Sequence, residues 1–173
     1  MNAKYYGVPQ SRERLIFMGV RNDLGKQPSF PMPSNLVFTV AGALAGLKDI
    51  GEVRYPTGRL HKLYDHIRMG KSLADYLSRK TGKNSGFNAI KVDPNKPSPT
   101  ITKTFGEGLA GLLHWEEKRF FTIAELKRLA SFPDTFILTG SFKDQWARIG
   151  NAVMPAFMQA IATHIRTIIL GGV

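Results

Sequence analysis

Arg12 and Arg14 bracket Glu13 near the start of the 173-residue chain, and they are the first residues whose type and spacing suggest chemistry. In an extended segment, positions two apart share a side, so both guanidinium groups project together. Their planar forks suit phosphate and carbonyl oxygens; the plainer alternative is a surface ion pair with Glu13. Near the other end, Arg148-Ile149-Gly150-Asn151-Ala152-Val153-Met154-Pro155 places an amide in a tight turn, where it can bond a ligand or simply cap the turn. Thr100 and Thr102 alternate with Ile101 along a short run, and with Lys103 they are candidates for nucleic-acid contacts, although exposed strand threonines are common. There is no cysteine, so this chain holds no disulfide, thiolate zinc site or cysteine nucleophile. The histidines 61, 66, 114 and 164 include no i, i+4 pair, and no metal site is expected.

The charge narrows the partner. Of a formal net charge of +11, eleven basic against three acidic residues between Arg54 and Lys103 leave +8 in the middle of the chain. A solvated basic face is one reading; a polyanion, usually nucleic acid, is the stronger one. No apolar run of about 18 residues or more appears, so no membrane span is expected. No signal-peptide pattern is present.

These residues need elements to hold them. Tyr5-Tyr6-Gly7 reads as a turn, and Leu15-Ile16-Phe17-Met18-Gly19-Val20 as a buried strand. A strand needs a partner, and no comparable run precedes this one, so the chain is expected to open inside a sheet-containing domain. Three prolines mark residues 25–35 as a connector. Thr39 can cap a helix over Val40–Leu47, and Ser72 with Asp75 a helix to about Arg79, followed by a loop over Lys80–Asn88. Ile90–Val92 and Pro99–Thr104 read as short strands. The G-x-G-x-x-G at 106–111 lacks the helix that a dinucleotide site requires and reads as a glycine loop. Thr122 and Glu125 form a capping box, with Phe121 and Leu126 as a hydrophobic staple and Pro133 as the stop. Ser141 opens a helix that Gly150 should end in a left-handed cap. Pro155 opens another, apolar over most of its surface, to Leu170, with Gly171-Gly172 closing it. Trp146 and Phe157 read as core rather than stacking residues.

Three segments, in order, resemble the DNA cytosine-5 methyltransferases. Tyr6-Gly7-Val8-Pro9-Gln10-Ser11-Arg12-Glu13-Arg14 is similar to that family's Gln-x-Arg-x-Arg motif. Arg119-Phe-Phe-Thr122-x-x-Glu125 with Ala130-Ser-Phe-Pro-Asp134 is similar to its penultimate motif, with Phe121 for Leu and Ala124 for Arg. Ile149-Gly150-Asn151-Ala152-Val153-x-Pro155 resembles its last. The resemblance implies an α+β fragment: the C-terminal part of a Rossmann-like, S-adenosylmethionine-dependent methyltransferase plus its target-recognition domain. It places catalytic-domain segments at 1–24 and 119–173 and the recognition domain at 34–118, where the positive charge lies. It implies that Arg14 contacts the target cytosine and Arg12 supports the active loop. Asn151, Ala152 and Val153 would line the cofactor pocket, and Gln10, Thr100, Thr102 and Lys103 would meet double-stranded DNA. The family activates cytosine by adding a cysteine thiolate to C6 and flips the base out of the duplex to do so. That cysteine and the main cofactor motifs are absent here. The chain alone is therefore expected to be inactive and to need an N-terminal catalytic portion, in the same or a separate chain. An intracellular setting, the bacterial cytoplasm, follows by resemblance. The rival readings are a non-catalytic DNA-binding or regulatory module and an RNA-directed relative.

Overall fold

Local hydrogen bonding determines where the helices begin. In the computed structural model, which describes residues 1–83, 86, 89–106 and 109–171, Thr39, Ser72, Thr122 and Ser141 each accept the N–H three residues on, at 3.1, 3.1, 3.3 and 3.2 Å. They start α1 (Val40–Leu44), α3 (Leu73–Thr81), α4 (Ile123–Leu129) and α5 (Phe142–Asn151). In the last three an acidic residue returns a bond to the cap N–H, completing the box. Phe121 and Leu126 are fully buried at the staple positions. Pro155 opens α6 (Pro155–His164), which continues as one wider turn over Ile165–Ile169. Helix α2 (Gly58–Leu63) lacks a side-chain cap bond and has no counterpart in the expectations.

The sheet differs from what the sequence suggests. Its three strands are β1 (Lys71–Ser72), β2 (Ala89–Lys91) and β3 (Gly111–Leu113), in the order β1-β2-β3. β1 pairs antiparallel with β2, and β2 pairs parallel with β3, with Ile90 opposite Leu112. Pro99–Thr104 joins no ladder; its carbonyls and amides are used by side chains and by α5. The glycine run also resolves against a nucleotide loop, because Gly111 opens a strand rather than a helix; its residues 107 and 108 lie outside the described residues. So do 84, 85, 87 and 88 of the expected 80–88 loop, of which Lys80 and Thr81 belong to α3.

Leu15–Val20 forms no strand and joins no ladder among the described residues, correcting the expected buried strand. Ile16 and Met18 pack on the core, whereas Leu15 and Phe17 are 80% and 87% exposed. From Leu15 to Met18 open and partly covered side chains alternate, and no described strand lies paired with the segment. α6 likewise buries Phe157 and Ile161 but leaves Met158 exposed, and Ile168 and Leu170 are exposed beyond its end. By length and composition Phe142–Ile169 could cross a membrane. It is nevertheless two helices, broken at Ala152–Met154, each packed on the core.

Two apolar clusters form the interior. The larger joins Ala3, Val8 and Val40 to Val92, Ile101 and Leu112 and to the inner faces of α4, α5 and α6. The smaller holds Leu60, Tyr64, Ile67, Leu73, Leu77, Ala89, Leu113 and Phe120. Phe105 touches both. Residues 34–118 thus do not bury themselves apart from their flanks: α1, Val92 and Ile101 belong to the core shared with 1–24 and 119–173.

Candidate functional site

Residues 8–14, 98–103 and 146–154 meet in one junction. Gly7, with φ +80°, turns the chain so that Pro9–Ser11 run beside Ser98. Ser98 N donates to Pro9 O at 2.9 Å and Ser11 N to Ser98 O at 2.8 Å, a parallel bridge. The Thr100 hydroxyl adds a bond to Ser11 O at 2.8 Å. These bonds hold residues 98–102 against the motif that begins at Gln10.

Arg12 ties this pair to α5. Its side chain is buried, with the residue only 4% exposed. Nη1 donates to Ile101 O at 2.9 Å, and Nη2 to Gly150 O at 2.7 Å. Gly150 lies in the last turn of α5, where unpaired carbonyls and the negative end of the helix dipole favour a cation. Burial pushes the Arg12 guanidinium down from its ordinary value, and the nearby charge of Arg14 adds to this. Its Nε is buried without a partner among the described residues.

Gly150 is not the left-handed stop that the sequence suggests. It is helical, and the helix runs on through Asn151 to an extended Ala152. Its lack of a side chain serves a close approach instead: a Cβ there would lie 2.5 Å from Thr102 O and 2.6 Å from Lys103 N. Trp146, on the same helix, donates from Nε1 to that Thr102 carbonyl at 3.0 Å. Trp146 and Phe157 are both core residues, as expected.

The expected site residues therefore divide by environment. Gln10 is fully buried; its Nε2 donates to Leu129 O at 3.4 Å, and its Oε1 accepts from Ile101 N at 3.3 Å. As placed, it offers no surface to DNA and instead positions Ile101, a correction to its expected direct contact. Thr100 is half-buried and committed to Ser11, whereas the Thr102 and Lys103 side chains are exposed. Arg14 is exposed, and among the described residues its side chain bonds only to Glu13 O, from Nη1 at 2.6 Å. Neither arginine pairs with the Glu13 carboxylate, which accepts from Asn2 Nδ2 at 3.5 Å, so the plain ion-pair reading does not hold. At the α5–α6 turn Asn151 is exposed, Ala152 is half-buried and Val153 is 51% exposed, while Met154 is buried beneath them. Ser131 Oγ accepts from Ala156 N at 3.1 Å and fixes the start of α6.

A second network secures the approach to α4. Arg119 and Glu125 are both buried and paired in a two-pronged contact, 2.8 Å on each side. Glu117 accepts from Arg119 Nε at 2.8 Å, and Glu125 Oε2 also accepts the Thr122 N–H at 2.7 Å. Burial disfavours the Arg119 charge, but the bonds to Glu125 and Glu117 outweigh it and raise its affinity for the proton. Beside it, His114 stacks on Trp115 at 3.8 Å and accepts the Glu117 N–H at its Nδ1. Burial, then the Arg119 charge, pushes that imidazole below its ordinary range. No single-residue signal marked His114. The sequence reading also missed a cationic cleft at α3, although Tyr76, Arg79 and Lys80 stand at i, i+3 and i+4, a spacing that puts them on one helix face.

Residues 1–167 match the family model described as C-5 cytosine-specific DNA methylase. Among curated proteins, the type II methyltransferase M1.HphI of Haemophilus parahaemolyticus is 30% identical over 184 residues, covering 95% of this chain and 46% of that protein. Type II methyltransferase M.SacI of Streptomyces achromogenes is 31% identical, over 87% of this chain and 46% of its own length. The chain thus spans about half the length of these relatives. In fold it is similar to the crystal structure of a candidate DNA modification methyltransferase encoded within an E. coli prophage, with TM-score 0.68 and 22% identity, over 99% of this chain and 59% of that one.

Proposed function

The chain belongs to the C-5 cytosine-specific DNA methylase family, and from that premise we propose that it is the recognition half of a DNA cytosine-5 methyltransferase site. One observation carries the proposal: the buried Arg12 guanidinium bonds at once to Ile101 O, beside the exposed Thr102 and Lys103, and to Gly150 O, beside the exposed Asn151 and Val153. The segment proposed to meet DNA and the turn proposed to meet the cofactor are thereby held by one side chain. Arg14 stands clear of that tie and is the arginine left to reach a flipped cytosine, where its donors would act on charge developing on the ring. Its neighbour Arg12 positions rather than touches.

The residues present fit one wall of a pocket for S-adenosylmethionine: Asn151 offers an amide, and Val153 an apolar surface against which an adenosyl group can lie. That cofactor, when bound, supplies the methyl group. The thiolate and the glycine-rich cofactor loop would come from a portion outside these 173 residues, in the same or a separate polypeptide. The open faces of Leu15 and Phe17 and of Met158 and Ile168 are apolar surface that such a portion would cover. The setting proposed is the bacterial cytoplasm, since the similar type II methyltransferases named above come from bacteria.

Duplex DNA is favoured over RNA as substrate by the family model, whose description is of a DNA methylase. A side-by-side methyl-transfer assay, with the chain joined to a cysteine-bearing N-terminal portion, tests this choice. Labelled methyl is expected in duplex DNA and not in tRNA; the reverse pattern would overturn the proposed substrate.

A further inference from the structure

We infer that a cleft on α3, lined by His66, Arg68, Tyr76, Arg79 and Lys80, grips the phosphodiester backbone of duplex DNA away from the Arg12 junction. This inference rests on the reading of the chain as a DNA-recognition unit and assigns a specific surface to part of that role. The cleft encloses about 290 Å³. The capping box at Ser72 sets the start of α3, so that Tyr76, Arg79 and Lys80 fall on one face, opposite His66 and Arg68.

Among the described residues no carboxylate lines this cleft. The nearest acid on the helix, Asp75, is engaged by the Ser72 N–H at 2.7 Å and by its hydroxyl at 2.8 Å. Asp65, next to His66, is taken by Lys118 Nζ at 2.6 Å. Three permanent cations therefore share one concavity with no described carboxylate in it, an arrangement that favours an anion from outside. Among the described residues Arg79 uses only Nε, on Asp75 O at 3.2 Å, so that no described residue engages its two terminal nitrogens. Among the described residues the Arg68 side chain has no bond. The half-buried Tyr76 ring gives the cleft a fixed floor: the His66 imidazole stacks on it at 5.4 Å with planes 8° apart, and Lys80 Nζ lies 5.9 Å from its centre. Such cation–aromatic contacts hold long side chains near one geometry and reduce the entropy lost when they bind.

The occupant follows from charge and position. A row of phosphates satisfies several separated cations at once, as a single small anion cannot. α3 packs on β1 and β2, and the chain leaving β2 at Lys91 leads directly to Thr100, Thr102 and Lys103. A backbone held at α3 would thus be held in fixed relation to the exposed recognition segment. Phosphate contacts fix register without reading sequence.

The test is duplex-DNA binding by the full 173-residue chain, measured by fluorescence anisotropy over a salt series. The triple variant Arg68→Ala, Arg79→Ala, Lys80→Ala is compared with an equal-charge control, Lys26→Ala, Lys48→Ala, Arg166→Ala; circular dichroism checks that each folds. The wild type is expected to show a steep salt dependence. The cleft variant should lose roughly 2 to 3 from the log–log slope, about 0.9 per phosphate contact, and the control far less. A cleft variant indistinguishable from the control, beside a wild type that binds steeply, overturns the cleft alone. A wild type with no salt-dependent DNA binding overturns the recognition reading itself. Loss confined to a duplex RNA probe would reassign the cleft to RNA.

Discussion

Arg12 and Arg14 stand two residues apart and do different work. Arg12 is buried between two backbone carbonyls, and its removal would free Ile101 O and Gly150 O together. The Arg14 side chain is exposed and, among the described residues, bonded only to the neighbouring carbonyl of Glu13, so it can leave that contact cheaply. Arg14→Ala, in the enzyme completed with its N-terminal portion, should therefore leave duplex affinity near wild type. It should slow single-turnover methyl transfer on the order of 100-fold, the ~3 kcal/mol that one donor to transition-state charge can supply. Equal single-turnover rates for mutant and wild type, or a loss confined to binding, would remove Arg14 from that role. The motif's arginines were legible in the sequence. Their opposite environments were not, because alternation along the chain says nothing of which guanidinium finds carbonyls from distant segments. Gln10 shows the same gap: its amide is consumed by Leu129 and Ile101, partners far along the chain.

Helix α5 meets residues 102–103 through Gly150, and that contact has a measurable sign. In an unobstructed helix interior, replacing Gly by Ala stabilises by roughly 0.5–1 kcal/mol. Here the added Cβ would lie 2.5 Å from Thr102 O, and the obstacle is backbone rather than a movable side chain. Gly150→Ala is expected to destabilise by about 1–3 kcal/mol, the cost of overpacking, in urea unfolding. A stabilised variant would show that the recognition segment does not press on α5. Helix starts were readable because a cap is a bond between residues three apart. Hence Thr39, Ser72, Thr122 and Ser141 all begin helices where expected. What was misread depends on distant partners. Pro99–Thr104 has the pattern of a strand, yet its Thr102 carbonyl goes to Trp146. β3 follows a glycine run and gains its identity only from β2. Leu15–Val20 has the composition of a buried strand but lacks a neighbour to pair with, and a ladder cannot be inferred from one side.

At the scale of the molecule, one shared core links the chain's two flanks to its middle, and apolar faces at Leu15, Phe17, Met158 and Ile168 remain open. Motif order pointed to the family, while the portion proposed to recognise DNA was legible only as a concentration of charge. The functional claim is that these 173 residues recognise and position but do not transfer methyl without a thiolate from elsewhere. The direct test supplies labelled S-adenosylmethionine and duplex DNA to the chain alone, then to the chain with a purified N-terminal portion carrying the cysteine and the cofactor loop. No methylation by the chain alone, and turnover on addition of the second portion, is the predicted result. Stoichiometric methylation of DNA by the isolated chain would contradict it, because no cysteine is present here to form the C6 adduct.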